Sequence, residues 1–146
     1  MTERVDFYVL KNANPRARHV FACRLTEKAY SKQLRVLLLA ADAAQARELD
    51  ELLWTFDDGA FVPHQVLEAG AEPDPLTPVN ICLDVQSPVD AALVLNLAGQ
   101  DPDSLTRFAR IAEIVDEDPE RRRLGRERFK AYRERQITLE THQLNE

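Results

Sequence analysis

The stretch RVLLLAADAAQARELDELLWTF (Arg35–Phe56) decides the fold class. Its opening, RVLLLAA, is nearly all apolar with no polar alternation, as expected of a strand covered on both faces. Asp42 is a natural helix N-cap, and the residues after it are rich in Ala, Leu and Glu, all strong helix formers. Working outward, VDFYVL (5–10) is a short β-branched and aromatic run ended by KNANP, and so a strand. Arg16 to about Lys32 suits a helix, with Val20, Cys23, Leu25, Ala29 and Tyr30 as a rough apolar stripe. Downstream, GAFVPHQV is a loop with a short extended piece, and EAGAEPDPLTP is rich in turn residues. VNICLDV (79–85) and AALVLNL (91–97) are two further strands. A short helix is expected around DSLTRFARI, and IAEIVD fits either its continuation or a fifth strand. Asp118 followed by Pro119 caps and starts a last helix that runs to about Gln136. The alternation of strands and helices predicts an open α/β sheet with helices on its faces. At 146 residues the chain suits one domain over 1–146, with 137–146 expected as a flexible tail.

Several function classes are excluded by what is missing. The four glycines (Gly59, Gly70, Gly99, Gly125) form neither GxGxxG nor GxxxxGK[ST], so the chain lacks a nucleotide-binding glycine loop and no cofactor is expected. There is no GxSxG elbow. His19, His64 and His142 are scattered without ligand spacing, and Asp57-Asp58 reads as a solvated turn, so no metal is expected. His64 is the one candidate general base for a small-molecule enzyme, and no nucleophile or carboxylate accompanies it in sequence. Cys23 and Cys82 sit in apolar surroundings and read as buried reduced thiols. No apolar run approaches the ~20 residues that span a bilayer. The N-terminal MTERVDFYVL lacks the form of a secretory signal, so a cytoplasmic location is expected, without membrane contact.

Charge is the informative property. The chain is acidic at −6, and residues 1–120 hold 11 basic and 21 acidic side chains. RRRLGRERFKAYR (Arg121–Arg133) reverses this with seven basic residues and one acidic. Projected at about 100° per residue, Leu124, Gly125, Ala131 and Tyr132 share one side of the helix, the expected core face. Arg122, Arg126, Lys130 and Arg133 share another, with Phe129 at its edge. Like charges at i, i+4, i+8 destabilise an isolated helix, by tenths of a kcal/mol per pair. Such a face fits a solvated surface, a nucleic-acid contact by helix 119–136, or a ligand that joins an apolar end to an anionic one. The acidic body disfavours nucleic acid in general. Trp54, with Phe56 and Phe61 close behind it, forms a second concentration of aromatics, either capping the core or docking a protein.

RERFKAYR (126–133) is similar to the R-E-R-[YF]-K-x-Y-R signature of the chi subunits of the bacterial DNA polymerase III holoenzyme. ELDELLW followed by FVPH (Phe61–His64) resembles the central motif of that family, and DFYVL its first strand. The resemblance implies a largely parallel, Rossmann-like sheet and a non-catalytic replication accessory subunit. Such a subunit links the clamp-loader complex to single-stranded DNA-binding protein by binding its acidic C-terminal tail, and meets DNA only indirectly. Carried over by position, Arg122, Arg126 and Lys130 would hold the tail's carboxylates, while Phe129 and Val115 would pack on its last aromatic ring. Trp54 and Phe61 would contact the psi subunit or another, helicase-like protein. Position 129 holds Phe where Tyr is frequent, and position 122 holds Arg where Lys can stand; ring and charge are kept.

Overall fold

The computed structural model describes residues 1–144. Seven strands form one sheet: β1 (Arg4–Val9), β2 (Val36–Leu39), β3 (His64–Leu67), β4 (Val79–Cys82), β5 (Leu93–Asn96), β6 (Arg110–Val115) and β7 (Thr138–Gln143). Their order is β3-β4-β2-β5-β6-β1-β7, and every neighbouring pair is parallel. The helices are α1 (Pro15–Ser31), α2 (Ala43–Thr55) and α3 (Pro119–Glu134). This is the expected open, Rossmann-like α/β sheet.

Right-handed crossovers set the layers. The chain steps from β1 to β2 to β3 towards one edge, so α1 and α2 cover the same face, packing Ala22, Cys23, Leu49 and Leu53 on Val36, Leu38, Val79 and Leu95. It then returns through β4, β5 and β6 and passes β1 to reach β7, which puts α3 on the opposite face. There Tyr132 and Phe129 meet Val5, Phe7, Val115 and Leu37. Because both faces are covered, β2, β4 and β5 are buried at every residue, which is why their sequences show no alternation.

The helix starts follow the sequence. The Asp42 side chain accepts from the Gln45 amide at 2.8 Å, and the Gln45 side chain accepts in return from the Ala41 amide at 2.7 Å. Asp118 accepts from the Arg121 amide at 2.9 Å, with Pro119 at the first helical position.

Of the two readings of IAEIVD, the strand holds: it forms β6, with the buried Ala112 and Ile114 on one face and Ile111 and Val115 on the other. Three expectations need correction. The helix expected around DSLTRFARI shrinks to a 3-10 turn, Pro102–Leu105. Of the flexible tail expected over 137–146, Thr138–Gln143 instead pairs with all of β1 as an edge strand, while Asn145 and Glu146 lie outside the described residues. Leu124, assigned to the core side of α3, is 38% exposed, because Gly125 and Tyr132 take the helix closest to the sheet.

Two buried carboxylates fasten α3. Glu113 on β6 is fully buried (0% exposed) and accepts from Tyr132 Oη at 2.7 Å, Asn96 Nδ2 at 2.8 Å and Arg128 Nε at 3.1 Å. Burial raises its pKa above the ordinary value, against the opposing pull of Arg128, Asn96 and Tyr132. Asp116 is gripped by Arg121 through two bonds of 2.9 and 2.8 Å. Burial works to raise its pKa too, but the bonds from Arg121 and the Asp118 amide outweigh it and hold the carboxyl low.

Linkage gives these two acids opposite signs. A raised folded pKa means that the native state binds the extra proton, so the contribution of Glu113 falls as pH rises above the ordinary glutamate range. Glu113→Gln abolishes that titration, and chemical denaturation across pH should show the stability of wild type declining relative to the variant above about pH 4.5. Asp116 stabilises the fold above the ordinary aspartate range and loses its contribution as pH falls through its lowered pKa. Burial pushes the Cys23 thiol up to about 12 and also raises that of Cys82. Neither thiol should react with a thiol reagent in the native protein at neutral pH, and both should react once denaturant is added.

Candidate functional site

The carboxyl ends of β1, β6 and β7 meet the first half of α3 in a cleft of about 350 Å³. It lies beside β1, where one connection leaves over one face of the sheet and another crosses over the other, the kind of crevice in which open α/β sheets hold ligands. Phe7, Val9, Val115, Gly125 and Phe129 supply its apolar lining, Arg122 and Arg126 one polar wall, and Thr141 and Gln143 the other. The Phe129 ring is half-buried and packs edge-on against Phe7, with centroids 5.1 Å apart. A Cβ on Gly125 would stand 3.1 Å from Val115 Cγ2, so the absent side chain is what lets α3 approach β6 this closely.

The cations of α3 divide into two groups. Arg121 and Arg128 are consumed by Asp116 and Glu113, Arg123 by Glu120 and Glu127, and Arg135, just past the helix, by Asp103. Arg122 spends only Nε, which donates to the Asp116 carbonyl at 3.1 Å and steadies the side chain over the cleft. Among the described residues the side chains of Arg126, Lys130 and Arg133 have no hydrogen-bond or ion-pair partner. Val115, Arg122, Arg126 and Phe129 therefore come together in one cleft. Lys130 is exposed on the same helix but is not part of the lining. Phe7, Val9, Gly125, Thr141 and Gln143 were not anticipated as lining. The alternation of VDFYVL was the one signal for Phe7 and Val9.

Trp54 and Phe61 also meet, with ring centroids 5.8 Å apart, and are 51% and 66% exposed. The His64 side chain beneath them is buried, and its two ring nitrogens face the Val62 carbonyl at 2.7 Å and Asp50 Oδ1 at 2.9 Å. Asp50 is the carboxylate partner that sequence reading did not find, and the imidazole is occupied as a structural tie beneath Trp54, 4.4 Å away. Asp57 accepts from the Gly59 amide in an Asx turn. A larger cleft, about 430 Å³, separates α2 from the ends of β3 and β4, with Arg47, Asp50, Glu68 and Asp84 as a mixed-charge rim.

One group invisible in sequence is Asp6, Glu140 and His142, whose potential ligand atoms lie within 4.8 Å of one another. Arg4 donates to Asp6 at 3.1 and 3.0 Å and to Glu140 at 2.7 Å, and Arg110 stands 3.5 Å from Asp6. Two arginines already balance the two carboxylates, so the group is an ion-pair network tying β7 to β1. Among the described residues no helix is long and apolar enough to cross a membrane.

Comparison with known proteins agrees with the motifs. The family model described as DNA polymerase III chi subunit, HolC, matches residues 1–140. The DNA polymerase III subunit chi of Pseudomonas aeruginosa is 42% identical over 141 residues, covering 97% of this chain and 96% of the relative. That of Escherichia coli K12 is 31% identical over 144 residues, covering 95% and 97%. A chain in the crystal structure of T4 UvsW superposes with a TM-score of 0.69 at 9% identity, over 99% of this chain and 42% of that one, a likeness of fold alone. With the match spanning nearly the whole sequence, the chain belongs to the DNA polymerase III chi subunit family and is a non-catalytic accessory subunit in DNA replication.

Proposed function

We propose that the chain, acting as a single domain, links the clamp-loader complex of DNA polymerase III to single-stranded DNA-binding protein by holding its acidic C-terminal tail in the α3 cleft. One observation carries this reading. Arg122 and Arg126, which have no intramolecular ion partner, border a cleft with an apolar floor, while Arg121 and Arg128 of the same helix are spent on the fold. A tail ending in acidic residues and an aromatic ring matches both halves: Arg122, Arg126 and, from the rim, Lys130 for the carboxylates, and Val115 and Phe129 for the ring. Trp54 and Phe61 serve a second partner, the psi subunit or another protein, since exposed paired aromatics are typical interface anchors. DNA is then reached through the bound protein, in the cytoplasm.

The energies are adequate. Burying the terminal ring is worth about 1.5–3 kcal/mol, and each carboxylate hydrogen bond to arginine about 1.5–3 kcal/mol. Two or three such contacts, less the ordering of the tail, give roughly micromolar binding that weakens with salt.

In fluorescence anisotropy, a labelled acidic peptide ending in Phe should bind in the micromolar range. Arg126→Ala should weaken it several-fold and reduce its salt dependence, and Phe129→Ala should weaken it at all salt concentrations. Unchanged affinity in both variants would remove the site. Direct nucleic-acid binding by α3 predicts instead that bare oligonucleotide shifts the protein at low salt; no shift is expected.

A further inference from the structure

The two polar walls of the cleft differ chemically. The α3 wall carries the guanidinium groups of Arg122 and Arg126, whereas the β7 wall carries only the neutral Thr141 and Gln143. We infer that β7 reads the main chain of the bound peptide: the peptide lies extended along β7, with Thr141 and Gln143 hydrogen-bonded to its backbone. This rests on the tail-binding reading above.

Thr141 and Gln143 are two residues apart on one strand, so they share a face and stand about 6.5–7 Å apart along it. An extended peptide repeats its backbone groups at that same two-residue interval, whereas two residues of helix advance only about 3 Å. In register, Thr141 lies beside Phe7 and Gln143 beside Val9, so each polar side chain borders one apolar position of the floor. Threonine offers one donor and two acceptor lone pairs, and glutamine both a donor and an acceptor group, enough to meet peptide N–H and C=O groups. Both side chains are exposed and make no hydrogen bond among the described residues. The alternate residues of the same strand are already committed on the other face: Glu140 to Arg4, and His142 to Asp6. The cleft-facing pair is the part of β7 left available.

Recognition then divides into two parts. The α3 wall reads charge and is screened by salt, whereas the β7 wall reads an extended backbone whatever its side chains and is insensitive to salt. The test measures anisotropy for the acidic, Phe-terminated peptide across a salt series on wild type, Thr141→Val, Gln143→Leu and the double variant. Each single variant should bind about three- to tenfold more weakly, with the salt slope of wild type retained. A peptide N-methylated at alternate amides near its end should bind wild type more weakly than the parent peptide, and the two should bind the double variant alike. Wild-type affinity in the double variant, or loss of its salt slope, would overturn the role of β7 while leaving the tail site standing. Absence of peptide binding by wild type itself would overturn both.

Discussion

A helix as rich in arginine as α3 has little apolar surface with which to hold a sheet; only Gly125 and Tyr132 of its residues are buried. Its seat depends on two carboxylates on and just after β6. Glu113 takes Tyr132 and Arg128, and Asp116 takes Arg121, so the helix is tied near its start and again two to three turns on. Buried charge is costly to leave unpaired, at several kcal/mol per ion, which makes these ties directional. They fix the rotation of α3 as well as its position, and that rotation decides which cations turn towards the cleft.

The same accounting explains why charge accumulates on one helix of an acidic protein. Some of its arginines are structural, spent inward on β6 or along the helix surface. Of the remaining cations, which have no ion partner within the described residues, Arg122 and Arg126 stand over a floor made by β1, β6 and the glycine at position 125, and Lys130 and Arg133 are exposed. The like-charge column, unfavourable for the helix alone, is carried by the tertiary ties. Fold and site thus draw on different members of one basic run.

Much of this was legible in the sequence. The runs at 36–39, 79–82 and 93–96 announced buried strands because both faces are covered, and Asp42 and Asp118 announced helix starts because capping is local chemistry. The helical wheel placed Arg122, Arg126 and Phe129 together because α3 is regular. The misses share a cause, which is dependence on distant partners. TLETHQ has little apolar character, and only pairing with β1 makes it a strand. Asp50 and His64, or Asp6 and His142, are ordinary polar residues until the fold joins them. Leu124 erred in the other direction, since a projection cannot tell which part of a broad apolar arc touches the sheet.

The β1–β7 ladder joins Arg4 to Thr138, residues far apart in the sequence. Parallel pairing at such separation forms slowly, because a large loop must close before any contact rewards it. One side of the cleft is therefore built by a strand that follows every other lining element in the sequence. A chain made only as far as α3 carries the cations but lacks the wall of Thr141 and Gln143, so the cleft is incomplete until β7 pairs with β1.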